Sequence, residues 1–334
     1  MPDMFAHYTV AEAARQSLPD GPLARLLAAE HDAFTVGAQG PDFLFYSGLW
    51  PWQAGRNDLA RLLHRHAMSA VFRSMLGHAD GLGAAGRAIA GAFVCGYAAH
   101  LCLDAGAHPW VLYWTGDISA DAPAGTRVRA LRSHGLLEGS LDVMLLREHS
   151  SAHDWLRRQS LLRMSAARTT VVAEMFEHVF ADVHGIAFTA AEGRAAFRDM
   201  ALVSGAMSDR HTPFSRLLAG LGPLVDRTGA ARAQIYPDEP LAAAERLVTG
   251  RRRWHHPSLP RQERTETLRE LLVAAGAETR RCLEAIAPVA CGETGDVDEA
   301  VATIGDRSML TGLPCGDRRP LVAFAPGRDL IWAG

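Results

Sequence analysis

Gly96-Tyr97-Ala98-Ala99-His100-Leu101-Cys102-Leu103-Asp104-Ala105-Gly106-Ala107-His108-Pro109 is an apolar run carrying an H-x-x-x-D pair and, four residues on, a further histidine. On a helix, positions i and i+4 project from one face, so His100 and Asp104 reach the same point. Burying an imidazole and a carboxylate in an apolar helix is costly unless something satisfies them. A bound metal ion would do so.

The pattern recurs at His134-Gly135-Leu136-Leu137-Glu138, an H-x-x-x-E pair just ahead of the apolar run Leu141 to Leu146. Two His/carboxylate pairs on two helices, with His108 between them, form a donor set for more than one divalent ion. Either pair alone is a common feature of exposed helix faces. What sets these apart is that both lie among apolar rather than charged neighbours.

Three earlier segments add donors. His7 lies just ahead of the first helix, and Gly37-Ala38-Gln39-Gly40-Pro41-Asp42-Phe43 is a glycine-flanked turn presenting one carboxylate. Glycines permit the tight backbone that would hold Asp42 over a cleft. In Leu62-Leu63-His64-Arg65-His66 the two histidines point apart, and His64, next to the apolar pair, is the candidate; His66 is expected at the surface.

Size and composition set the frame. The 334 residues can bury a substantial core, and 21% charged against 48% hydrophobic residues is a soluble, globular balance. With a net charge of −3 there is no basic footprint for long nucleic acid. Every basic residue is arginine. The N-terminal MPDMFAHYTVAEAARQ lacks the basic start and apolar core of a secretory signal, and no run is read as bilayer-spanning. Cys95, Cys102, Cys282, Cys291 and Cys315 show no C-x-x-C spacing, which fits reduced thiols and a cytoplasmic location. Cys102 is two positions round the helix from His100 and is expected to point away from the site as a packing residue.

The periodicity predicts an all-α fold. Expected helices cover Val10–Gln16, Arg56–Leu76, Ala85–Ala105, Thr126–Glu148, Asp154–His184, Ala190–Met207 and Glu263–Ala287, with Pro109 read as a breaker. Few segments show strand alternation, and the best candidate is Leu321–Phe324. Residues 1–210 are expected to form a helical metal-binding catalytic domain. Residues 211–334 would add a loop-rich segment and a C-terminal helix packed on it, and the basic cluster Arg251-Arg252-Arg253-Trp254-His255-His256-Pro257 reads as a solvated loop ahead of a phosphate or partner contact.

The order of these motifs — early His, G-x-x-G-P-D, L-H, H-x-x-x-D, H-P, H-x-x-x-E — resembles the bacterial zinc-dependent phospholipase C family, itself similar in fold to the single-strand-specific zinc nucleases. The resemblance covers residues 1–150, and the region around Trp254 looks like the family's C-terminal part. It implies a multi-helix bundle around a multi-zinc cluster. Asp42, His64, His100 and Asp104 would hold one zinc, with Asp42 also placed as general base or water orienter. His108, His134 and Glu138 would hold a second, and His7 would join a bridging Asp104 at a third. In secreted members the mature N-terminal residue completes that third site. Here no signal segment generates such a terminus, so two zinc ions are expected, and a third depends on Pro2 after loss of Met1.

The chemistry such a cluster supports is hydrolysis of a phosphate ester by a metal-activated water, because zinc brings the pKa of water to about 7. A phospholipase C-type phosphodiesterase acting on a lipid or small-molecule phosphoester is the first expectation, with Phe43, Phe45, Tyr46, Trp50, Trp52 and Trp110 as pocket or core aromatics. Alternatives are a nuclease- or nucleotidase-like phosphoesterase on a small phosphoester, or metal binding without turnover. An HD-type phosphohydrolase is disfavoured, since the adjacent pairs His31-Asp32 and His153-Asp154 lack ordered companions. His31 is expected to pack beneath the G-x-x-G-P-D turn.

Overall fold

The computed structural model describes residues 4–47, 56, 58–119, 122–149, 161–207, 213, 216, 237 and 239–325. Among these the regular structure is helical apart from one small hairpin, so the all-α expectation holds. The helices are α1 (Met4–Gln16), α2 (Pro22–Ala29), α3 (His31–Gly37), α4 (Asp58–Arg65), α5 (Met68–Asp80) and α6 (Ala84–Thr115). They are followed by α7 (Ala124–His149), α8 (Ala166–His184), α9 (Ala190–Met207), α10 (Ala242–Thr249), α11 (Leu268–Ala290) and α12 (Val297–Ile304), with a 3-10 turn at Gly40–Tyr46.

The central element is α6. Its N-terminal half packs, through Phe93 and Tyr97, in a core with Phe34, Phe43, Phe72, Phe176 and Phe180. Its C-terminal half enters a second cluster through Trp110 and Trp114, with Phe5, Leu137, Leu271 and Trp254. His100, Asp104 and His108 therefore fall where the two apolar clusters meet. At 32 residues α6 is long and apolar enough to cross a bilayer, contrary to the expectation that no run is, but 89% of its apolar window is buried inside the protein. Its hydropathy is that of a core helix.

Several boundaries differ from expectation for local reasons. The helix does not stop at Ala105 but continues through Pro109 to Thr115. Proline removes one helical hydrogen bond and frees the Ala105 carbonyl; the loop at Gly312 packs against that oxygen. The helix expected over Arg56–Leu76 is split, because Ala67 adopts a left-handed φ of 55° between α4 and α5. The carbonyl of His64 at the end of α4 then accepts from Met309 N at 2.8 Å, which satisfies a group that every helix end leaves open. The α8 expectation holds from Ala166, where Ser165 caps the helix, while residues 154–160 of it lie outside the described residues.

Leu321–Phe324 is not a strand; Val322 N and Ala323 N donate to Pro257 O at 2.9 and 3.1 Å. The strands are instead β1 (Trp254–His256) and β2 (Leu259–Arg264), antiparallel. So α11 begins not at Glu263 but at Leu268, behind a capping box made by Thr267 and Glu270.

Candidate metal centre

Successive i+4 positions on a helix rotate by about 40° and rise about 6 Å. His100, Asp104 and His108 thus fan out along α6 with the carboxylate in the middle. Around this fan the fold places His7 from α1, Asp42 from the 3-10 turn, His64 from the last turn of α4, and His134 and Glu138 from α7. Every one of these side chains is buried. Their nitrogens and oxygens converge in three sets whose donor atoms all lie within 4.8 Å of one another: His64, His100 and Asp104; His7, Asp42 and His100; and His108, His134 and Glu138.

The contacts link these sets. His100 Nε2 is 3.1 Å from Asp104 Oδ2, and His64 Nε2 is 3.1 Å from Asp42 Oδ1. His7 Nε2 lies 3.3 Å from the other Asp104 oxygen, Oδ1. Asp104 Oδ2 is also 3.5 Å from His108 Nδ1, so this one carboxylate touches donors of every set. On the α7 side His134 Nε2 is 2.8 Å, and His108 Nε2 3.8 Å, from Glu138 Oε1.

Close backbone packing sets the imidazole positions. Gly40 has φ +54°, and a Cβ there would lie 2.3 Å from the His100 ring. At Gly96 a Cβ would lie 2.1 Å from Phe34 O, so glycine lets α3 and α6 touch backbone to backbone. That approach brings Ala38 O within 3.2 Å of His100 Nδ1. The same device repeats: His64 Nδ1 donates to Ala60 O at 2.6 Å and His108 Nδ1 to Met309 O at 2.7 Å. Thr115 Oγ1 donates to Val111 O and faces His134 Nδ1 at 3.3 Å, so it accepts from that ring. A carbonyl can only accept, which fixes the proton on Nδ1 and turns Nε2 inward. That is the arrangement by which proteins orient metal-binding histidines.

Despite their closeness, His7 Nδ1 and Nε2, His100 Nε2, His134 Nε2, Asp42 Oδ1 and both Asp104 oxygens make no well-formed hydrogen bond. Each such buried group costs about 1–3 kcal/mol. A cluster of converging, unsatisfied nitrogen and carboxylate donors fits a borderline divalent ion such as zinc.

The electrostatics prepare three of the histidines for this. Burial, reinforced by His100, holds His7 down to about 4. Burial also lowers His108 and His134, leaving them neutral and ready as ligands at pH 7. Burial opposes charge on His100 as well, but Asp104 and Asp42 outweigh it and raise that ring. Asp104 and Asp42 are depressed although burial resists it, Asp104 by His108 and His100, Asp42 by His64 and His100. Burial pushes the Glu138 carboxyl up to about 7.

A family model for zinc dependent phospholipase C matches residues 6–190, more than half of the chain and all of the converging side chains. The chain belongs to the zinc-dependent phospholipase C family. No curated protein and no solved structure matches it.

For this zinc-dependent phospholipase C family member, every candidate read from the motifs is brought to the cluster. Residues set aside are elsewhere: His66 is exposed, and Cys102 faces Cys282 on α11 with sulfurs 3.7 Å apart. His31 pairs with Glu12 at 3.2 Å rather than packing beneath the turn, because α3 starts with it at the bundle edge. Of the aromatics, Phe43 and Trp110 are core, Phe43 stacked on Phe197 at 4.0 Å. Phe45 lies 5.3 Å from the His64 ring and the Tyr46 hydroxyl accepts from Ser204, while Trp50 and Trp52 lie outside the described residues. Thr115 and Met309 were not legible as partners of the centre, since one offers a hydroxyl and the other a peptide.

Proposed function

We propose that the protein is a zinc-dependent phosphoric ester hydrolase, most closely a phospholipase C-type phosphodiesterase. The observation that carries this reading is the single carboxylate of Asp104, set among unsatisfied donors drawn from α1, α6 and the 3-10 turn, with His64 of α4 and the α7 pair alongside. His64, His100, Asp104 and Asp42 would hold one zinc, and His108, His134 and Glu138 a second, with His7 beside Asp104 and His100 at a third position. Zinc bound there would supply an activated water and neutralise charge on the phosphate.

The chain's own residues supply orientation. Nδ1 contacts to Ala60, Ala38, Met309 and Thr115 keep four imidazoles from rotating, so the donor atoms stay fixed as charge develops on the substrate. Although burial resists it, the His64 and His100 rings hold the Asp42 carboxyl below its ordinary value, so it accepts a hydrogen bond rather than a proton, which fits an orienter of the attacking water. His64 Nε2 lies 3.1 Å from Asp42 Oδ1, close enough for the two to share one ion. No Ser or Cys nucleophile is assigned, so attack is direct.

The test is zinc per chain by elemental mass spectrometry, followed by hydrolysis of phosphatidylcholine vesicles, a p-nitrophenyl phosphodiester and nucleotides. Two or three zinc ions with chelator-sensitive diester cleavage are expected. Cleavage of nucleotides alone would move the assignment to the nucleotidase-like alternative. Protein that takes up no zinc would overturn the reading.

A further inference from the structure

His7 is the exception among the converging histidines. His64, His100, His108 and His134 each present Nδ1 to a carbonyl or hydroxyl, whereas neither nitrogen of His7 makes a well-formed hydrogen bond. Its ring is stacked on His100 with centroids 4.1 Å apart, which sets a plane but not how far the ring reaches toward Asp104. Something else has to fix it.

The backbone just before His7 is held by a buried acid. Phe5 N donates to Asp142 Oδ2 and Ala6 N to Asp142 Oδ1, each at 2.7 Å. These N–H groups belong to the first turn of α1, where a helix has no internal acceptors and its dipole favours negative charge. Asp142 is fully buried and lies on α7 one turn beyond Glu138. The helix that carries His134 and Glu138 therefore also grips the helix that carries His7, by two charge-assisted bonds.

We propose that Asp142 is a positioning residue of the metal centre: it sets the reach of His7 toward Asp104 by clamping the Phe5 and Ala6 amides, replacing the ring partner that His7 lacks. This rests on the metal-centre reading above. Its consequence is selective. Loss of the clamp releases the zinc that depends on His7 and leaves the set His108, His134 and Glu138, whose rings have their own partners.

The experiment compares the full chain with Asp142→Asn, His7→Ala and the double variant. Each is stripped with chelator, then titrated with zinc against a chromophoric competitor. Asp142→Asn is expected to weaken the same zinc that His7→Ala weakens, by about 10–100-fold, the scale for partners of metal ligands. In the His7→Ala background it adds less than about threefold, because the two act as one unit. Should Asp142→Asn fail to fold, Asp142→Glu, which keeps the charge but displaces the oxygens, carries the same comparison.

Unchanged zinc affinity in the Asp142 variant overturns the proposal, as does an equal effect with or without His7, or loss spread over every zinc. A His7→Ala chain with intact zinc binding also overturns it. A wild-type chain that binds no zinc defeats instead the reading on which it rests.

Discussion

Replacing Glu138 by glutamine is expected to make the zinc-free protein more stable and the zinc-loaded protein less so. Burial lifts this carboxyl from its ordinary 4.5 to about 7. Each pKa unit corresponds to about 1.36 kcal/mol, so ionised Glu138 costs the zinc-free fold about 3 kcal/mol at pH 8. A carboxyl raised in the fold holds its proton longer than in the unfolded chain. Its penalty is complete above the folded value and fades as pH falls, to under about 1 kcal/mol by pH 5. Glutamine keeps the shape without the charge, and its amide N–H can donate to the bare His134 Nε2, now 2.8 Å from Glu138 Oε1.

For a chain of this size about 3 kcal/mol is roughly a 5 °C rise in melting temperature. The assay is thermal unfolding of both proteins in chelator at pH 8 and pH 5, repeated with saturating zinc at pH 8. The variant should melt higher in chelator at pH 8, the gap should close at pH 5, and zinc should reverse the order because the variant lacks a charged ligand. A Glu138→Gln chain that melts below wild type in chelator at pH 8 would refute the reasoning: the carboxylate would then be stabilising the fold, not waiting for an ion.

Two further substitutions probe the surroundings of the ligands. Thr115→Val keeps the shape of the side chain and removes the acceptor facing His134 Nδ1 at 3.3 Å; zinc affinity should fall about 10–100-fold, read by chelator competition, with little change in the circular dichroism of the helices. Gly40→Ala places a Cβ 2.3 Å from the His100 ring at a φ of +54°; beyond the about 1–2 kcal/mol cost of the left-handed backbone, it should displace His100 and lower zinc content per chain.

Much of the centre could be read from the sequence because its donors come as i, i+4 pairs on helices, a spacing that survives any arrangement of those helices. His100 with Asp104 and His134 with Glu138 are of this kind. The turn at Asp42 was legible from Gly37 and Gly40, whose reason in the structure is close contact with α6. Orienting partners were not legible, since Ala38, Ala60 and Met309 contribute only carbonyl oxygens, which any residue could offer. Helix limits failed where tertiary contacts overrode local preference, as at Pro109, whose freed Ala105 carbonyl meets the Gly312 loop, and at Ala67, whose left-handed turn no side chain announces. The strand pair was missed because a short hairpin around Pro257 and Ser258 precedes a helix whose real start is marked by Thr267 and Glu270.

The family match ends at residue 190, yet the contacts that hold the converging histidines do not. The backbone of Met309 donates from its N–H to His64 O at 2.8 Å and accepts at its carbonyl from His108 Nδ1 at 2.7 Å. One backbone unit thus joins a histidine of the α4/α6 set to a histidine of the α7 set. Its loop is held by Gly312 N to Ser308 O and by His256 Nε2, which donates to Thr311 O at 2.8 Å while its Nδ1 accepts from Ser258 N. Met309→Pro separates the two halves of this link, since it deletes the N–H and keeps the carbonyl. Among the described residues the His64 carbonyl is left with only the 3.4 Å contact from Ser308 Oγ, and a buried acceptor that loses its donor costs about 1–3 kcal/mol. Zinc held through His64 should therefore weaken about fivefold or more, while zinc on His108, His134 and Glu138 weakens less, the two being resolved by stepwise release to a chelator. Equal weakening of both would show that the loop acts by packing alone, and no weakening of either would remove Met309 from the centre.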